Sequence, residues 1–181
     1  LALAFAGTLP GVAQQTAAPA VDSVKASAVE KVFIVKMADI VQAGLKAGAL
    51  DVKAVSGVLN EAVKADVSDR VMGAMVSMAA GAFPSSAPAV ASAAVRSYGS
   101  NIREGHVRNV IASAVSSQSN PYASVAPISE AVEKVLGNSP VAAAVSSIAV
   151  DVAAQTPDNP LSGETVQGSG LASPDEGISE G

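Results

Sequence analysis

Few residues in this chain could perform acid–base or metal chemistry, and His106 is the single histidine. It follows Arg103, Glu104 and Gly105, and Glu104 is the nearest candidate partner. Acid–base catalysis and metal binding both need a second group close in space. Because the sequence supplies no such set, we interpret His106 as a surface residue at the polar start of a helix.

Three arginines flank this histidine and form a small basic cluster, Arg96, Arg103 and Arg108. Guanidinium groups bind phosphate and carboxylate through paired hydrogen bonds. With His106, these arginines are therefore candidate contacts for an anion or for the acidic tail of a neighbouring copy, and a solvated helix face is the alternative. The positive footprint is too small for nucleic acid, so no nucleic-acid partner is expected.

Met72, Met75 and Met78 recur at intervals of three residues. Thioether sulfurs at this spacing can bind Cu(I) in an exported protein. Methionine also fills gaps in hydrophobic cores, and no further Met, His or Cys lies nearby. The three residues are weak metal candidates beside an expected role in core packing.

The sequence contains no Gly-x-Ser-x-Gly elbow, phosphate loop, dinucleotide fingerprint or calcium loop, and no cysteine. We therefore predict no catalytic residue and no cofactor, and we expect the protein not to be an enzyme. Aromatic residues make up only 3% of the chain, which leaves little ring surface for stacking sugars or single-stranded nucleic acid.

The elements that must position these residues are helices. Val, Ile, Leu and Met recur at three- and four-residue spacing, which predicts an all-α fold of about seven short helices. Phe83-Pro84, Asn120-Pro121 and Thr156-Pro157 are 37 and 36 residues apart and are each predicted to close a helix. This spacing favours repeated helical hairpins, in an α-solenoid-like array or a compact bundle. The second and third, fourth and fifth, and sixth and seventh helices are predicted to pair.

Helix boundaries are predicted from caps and breakers. The first helix is expected from about Ser23, or from a capping box at Ser27, to a stop at Gly48. The starts of the later helices are each predicted from one or two capping residues or prolines. Predicted starts are Asp51 for the second helix, Asp66 for the third, Ser85 or Ser86 for the fourth, Ser100 or Asn101 for the fifth, Pro121 for the sixth, and Ser139 with Pro140 for the seventh.

Charge is unevenly distributed along the chain and suggests its organisation. Residues 1–13 are uncharged and apolar and resemble the later part of a signal peptide, and residues 14–22 are expected to form a flexible leader. The helical domain is predicted over residues 23–157, and residues 22–157 are net neutral, with 11 acidic and 11 basic side chains. Residues 158–181 carry five acids and no base, and are expected to be a disordered acidic tail.

Residues 71–95 and 109–129 contain no charged side chain. Small uncharged faces let helices approach closely, so we expect an exported, periplasmic or extracellular, structural or interaction protein that self-associates or docks a protein partner. The alternatives are a lipid- or surface-binding protein and, after it, a metal-binding protein or an enzyme. In the lipid-binding case the first helix would use its apolar face and Lys25, Lys31, Lys36 and Lys46 at a membrane surface without spanning it.

Overall fold

A computed structural model describes residues 27–156. This part of the chain is all-helical and contains no strand. Its seven α-helices are α1 (Ala28–Ala47), α2 (Val52–Lys64), α3 (Asp69–Ala82), α4 (Ala87–Ser97), α5 (Glu104–Ser116), α6 (Pro121–Leu136) and α7 (Val145–Gln155). The predicted signal remnant, the leader and the acidic tail lie outside the described residues.

The first two helices begin at the caps that the sequence predicts. Ser27 Oγ accepts a hydrogen bond from the Glu30 amide, and the Glu30 carboxylate accepts one from the Ser27 amide, which completes the capping box. Gly48 ends α1 in the left-handed conformation, at φ 76°. Asp51 caps α2 through the Ala54 amide.

The predicted cap of the third helix, Asp66, is wrong. Asp66 instead follows α2 in a left-handed conformation, at φ 53°, and Ser68 stands at the N-cap of α3. The Val67 amide donates to the Ala62 carbonyl and the Asp66 amide to the Val63 carbonyl. These two bonds form a Schellman motif, so Asp66 ends one helix rather than beginning the next.

The fifth and seventh helices begin later than predicted because short turns precede them. A 3₁₀ turn at Gly99–Asn101 delays α5 to Glu104. The Ser139 hydroxyl accepts a hydrogen bond from the Val141 amide in a turn, and a 3₁₀ segment follows before α7 begins at Val145.

Pro84 and Pro121 each follow the end of one helix, as predicted, and each also opens the next helical segment, whereas Pro157 lies outside the described residues. Pro84 is the first residue of a 3₁₀ turn that leads into α4, and Pro121 is the first residue of α6. Proline suits this position because the first helical amides have no carbonyl partner within the helix. Pro127 lies inside α6.

The helices form two layers. The odd-numbered helices pack side by side in one layer and the even-numbered helices in the other, and the largest contacts join helices two apart in the chain. In contrast to the predicted second-with-third hairpin, α2 and α3 barely touch. The turn at Asp66 leads the chain away from α2, and α3 packs instead on α1, α4 and α5. The odd-numbered layer is thus a linear stack that ends in α1 and α7, and the even-numbered layer ends in α2 and α6.

Polar contacts recur between equivalent helices of the stack. Ser77 Oγ donates to the Ser113 carbonyl across α3 and α5, at 3.0 Å. Ser92 Oγ donates to the Ala131 carbonyl across α4 and α6, at 2.9 Å. These partners are 36 and 39 residues apart, and the even-numbered helices begin 35 and 34 residues apart. The common spacing supports the predicted repeat.

The core is built from small aliphatic residues. Val, Ala, Ile and Met side chains of α3, α4 and α5 supply most of it. Most of the uncharged residues 71–95 lie in this interior, so their lack of charge follows largely from burial. None of the helices between residues 27 and 156 is both long and apolar enough to cross a membrane.

Candidate functional site: a polar cluster and an uncharged groove

His106 lies in the first turn of α5 and is only partly exposed, with 19% of its side chain accessible. Its ring stacks on Tyr98, with centroids 4.2 Å apart and planes at 9°. Nδ1 accepts a hydrogen bond from the Arg103 amide at 3.3 Å, and Nε2 lies 3.8 Å from Asp69 Oδ1. The expectation of a surface histidine at a helix start is correct in position, but the ring is packed rather than free.

Asp69, in the first turn of α3, is the acid that the sequence did not assign to this histidine. It accepts a hydrogen bond from the Tyr98 hydroxyl at 3.2 Å, and its backbone carbonyl accepts one from Asn109 Nδ2 at 2.6 Å. Burial, reinforced by the Asp69 carboxylate, raises the pKa of Tyr98 well above its usual range. Glu104, the partner considered from sequence, lies 3.7 Å from Arg108 instead.

The polar cluster of Asp69, Tyr98 and His106 borders a cavity of about 470 Å³, which Asp66 and Arg103 also line. Because Nδ1 of His106 accepts a hydrogen bond, the proton of the neutral ring is on Nε2, which faces Asp69. Neither nitrogen is free to act as a base on a bound molecule. The cluster therefore ties α3, the end of α4 and the start of α5 together.

The structure does not gather the three arginines into one anion site. Arg96 lies near Lys53 in a depression between α2 and α4, whereas Arg103 borders the cavity beside His106. Arg108 lies within ion-pair distance of Glu104. The three arginines predicted to contact an anion or a partner thus do not line one common cavity.

The three methionines are part of the interior of the described domain. Met72 and Met75 are completely buried, and Met78 is partly buried against the same core. This is the packing role that the sequence analysis set beside metal binding. Within residues 27–156, no three His, Asp or Glu side chains form a group that could hold a metal ion.

An uncharged groove of about 320 Å³ lies where α4 and α6 begin and α5 ends. Every residue that lines it is uncharged, and three are prolines, Pro84, Pro88 and Pro127. Tyr122, in the first turn of α6, is 58% exposed and is the most exposed aromatic residue of the described chain. The groove is thus concave, mostly apolar and free of charge.

Two acceptor groups distinguish this groove from a purely apolar surface. Gln118 lines it and is 7% exposed, and its Nε2 donates to the Ala80 and Ala114 carbonyls. Since carbonyls only accept, these bonds fix the amide orientation and leave Oε1 with no protein donor among the described residues. Ala123 also lines the groove, and in a helix its carbonyl would accept a hydrogen bond from the amide of residue 127. Residue 127 is proline, which has no amide hydrogen to donate.

This groove is not predicted from the sequence, although the sequence contains one signal for it. Residues 109–129 lack charge, but their exposed part begins only at Ser116, the last residue of α5. Comparison with protein-family profiles, curated proteins and solved structures finds no match to this chain. Its function is therefore inferred from the geometry of the groove and of the polar cluster.

Proposed function

We propose that this protein is an exported, non-enzymatic structural or interaction protein that self-associates or docks a protein partner through uncharged faces. The observation that carries the proposal is the uncharged groove at the starts of α4 and α6, together with Tyr122, which is exposed in the first turn of α6 although it does not line the groove. Stacked helical repeats present extended surfaces of this kind for binding other chains. Exposed aromatic side chains are frequent anchors of protein interfaces.

Burial explains most of the two uncharged spans but not all of them. The residues of these spans that remain exposed lie mainly at the groove end of the array: Pro84, Ser85, Ser119, Asn120, Tyr122, Ala123, Ala126 and Pro127. An ordinary exposed surface carries Lys and Glu. A surface without them loses little free energy when it is covered, because no charge must be desolvated.

Substitution Tyr122→Glu tests this proposal, with Val150→Glu on α7 as a matched control. Both side chains are more than half exposed, 58% and 51%, so neither change disturbs the core. We expect the wild-type chain to self-associate in light scattering and Tyr122→Glu to weaken association about tenfold or more, as loss of an interface anchor does. Val150→Glu should associate as the wild type does.

One result would contradict the proposal. The wild-type chain would stay monomeric at the highest attainable concentration. In a pull-down, it would also bind no partner that is lost with Tyr122→Glu. Circular dichroism of each variant confirms that the helices remain intact.

The lipid-binding alternative is supported by a different surface. Val29, Val32 and Val35 are each more than half exposed on α1, whereas Phe33 and Met37 pack into the core. The apolar face considered from sequence is thus divided between interior and solvent. Lys36 pairs with Glu61 at 2.7 Å, and Lys25 lies outside the described residues, which leaves Lys31 and Lys46 as the other lysines of α1. Co-sedimentation with anionic vesicles, lost on Val32→Glu but not on Tyr122→Glu, would favour this alternative.

Export is the part of the proposal that rests on residues 1–13 alone. Their apolar run and small residues resemble the end of a signal peptide. A periplasmic or extracellular location is therefore proposed on sequence grounds.

A further inference from the structure

We propose that residues 165–174 of this same chain occupy the uncharged groove. The inference rests on the proposed function, because it takes the groove as the docking surface and names its occupant. Three observations support it: the chemistry of the groove, the place where the chain leaves the described domain, and the composition of the segment.

The groove selects an uncharged, extended segment with amide donors. Its walls include Pro84, Pro88, Pro127 and Ile128, so a charged occupant would lose hydration without gaining an ion pair. Gln118 Oε1 has no protein donor among the described residues, and the Ala123 carbonyl receives no amide hydrogen bond from Pro127. Amide hydrogens of an extended backbone satisfy both, as in other modes of peptide recognition.

The described chain ends at the same end of the molecule as this groove. A short connection joins α6 to α7, and the two helices pack on each other, so they run antiparallel. Pro121 at the start of α6 and Gln155 at the end of α7 therefore lie at the same end of the molecule. The ends of α3 and α5 lie there too, since a Cβ atom on Gly81 would lie 3.4 Å from Ser117.

The segment that follows has the required composition. Residues 165–174 contain no charged side chain, whereas Glu164 and Asp175 flank them. Val166 and Leu171 supply apolar side chains for the groove. The intervening residues 157–164 reach up to about 27 Å when extended, which exceeds the width of two packed helices. A tether of this length also gives a millimolar effective concentration at the groove.

Paramagnetic relaxation in the full-length chain tests the proposal, because the chain has no cysteine to complicate labelling. A nitroxide is attached at Ser169→Cys, within the segment, or at Ser179→Cys as the matched control. We expect the label at 169 to reduce the amide signals of Gln118 and Ala123 about twofold or more, given the effective concentration of a short tether. The label at 179 should reduce them less.

A second variant tests the chemistry of the contact. Adding Val166→Asp and Leu171→Asp to the chain labelled at 169 should restore the Gln118 and Ala123 signals. These substitutions lie outside the described helices and add only charge to the segment. Signals that remain broadened would show that the segment is merely near the groove, and would overturn the proposal.

The remaining outcomes separate this inference from the proposed function. If the Gln118 and Ala123 signals of a chain without nitroxide broaden when it is mixed with nitroxide-labelled chain, a second copy occupies the groove. If no signals broaden in either sample, the groove is left to an outside partner. Either result overturns the same-chain proposal. The association of Tyr122→Glu is measured independently, so docking by the groove can stand or fall separately.

Discussion

At the scale of single residues, position decides what each reactive group does. Both nitrogens of His106 face groups of the protein, the Arg103 amide and the Asp69 carboxylate, and its ring face is covered by Tyr98. A histidine held in this way stabilises a helix start and an inter-helix contact. Its ring nitrogens therefore face groups of the protein and not a bound molecule.

Glu30 is the carboxylate whose protonation the structure most strongly opposes. A hydrogen bond from the Ser68 hydroxyl, followed by bonds from the Ser27 and Ser68 amides, lowers the pKa of Glu30 to about 2. These bonds join the start of α1 to the start of α3. A depressed pKa in the folded state contributes stability above the unfolded pKa, and this stability is lost as the pH falls through the folded pKa.

Glu30→Gln should therefore lower the melting temperature at pH 7. The difference from wild type should shrink between about pH 4.5 and pH 2, where the wild-type carboxylate becomes protonated. Thermal unfolding followed by circular dichroism across this range checks the expectation. Glu130→Gln, at an exposed position of α6, controls for the change in net charge. A Glu30→Gln difference that stays constant with pH would contradict the assigned hydrogen bonds.

At the scale of elements, small residues set how closely helices approach. Gly73 of α3 lies against α5, where an added Cβ would lie 2.7 Å from Ser113 Oγ and 2.9 Å from Asn109 Oδ1. Asn109 cannot move freely because it is bonded to the Asp69 carbonyl. The close packing of α3 and α5 therefore leaves little room for a side chain at this position.

Two glycine substitutions should have opposite effects on the free energy of unfolding. Gly73→Ala should destabilise the protein by about 1–2 kcal/mol, because overpacking displaces Asn109 or Ser113. Gly57→Ala, exposed on α2 with open space around it, should stabilise it by about 0.5–1 kcal/mol through helix propensity. Urea unfolding measures both changes. Equal stabilisation by the two substitutions would show that α3 and α5 are not in close contact.

At the scale of the whole molecule, the two-layer stack makes stability depend on neighbours. α3 and α5 pack between helices of their own layer on both sides, whereas α1 and α7 have such a neighbour on one side. Stability in a linear array is approximately a sum of each unit and its nearest interfaces. The ends of the stack should therefore open more readily than its centre.

Hydrogen exchange measures this difference directly. We expect central amides of α3 and α5 to exchange at least about tenfold more slowly than central amides of α1 and α7, because end helices open without disturbing the centre. Helices of similar length allow comparison, such as α5 with 13 residues and α7 with 11. Uniform protection of all four helices would indicate one cooperative unit instead of a stack.

The sequence by itself determined the helices, several of their caps and the length of the repeat. These features depend on neighbours along the chain: the Ser27–Glu30 capping box, the stop at Gly48 and the spacing of Pro84 and Pro121. Asp66 shows where local reasoning fails. An aspartate suits an N-cap and a left-handed C-terminal position, and the path of the chain selects between them.

Only the tertiary structure decided which residues meet. Asp69 approaches His106 across 37 positions of sequence, and the groove combines residues from the starts of α4 and α6 with Gln118. Periodicity specifies which face of a helix is apolar, but not which helix covers that face. In this protein the covering helix is usually two elements away, so the pairing of helices and the groove between them depend on long-range packing.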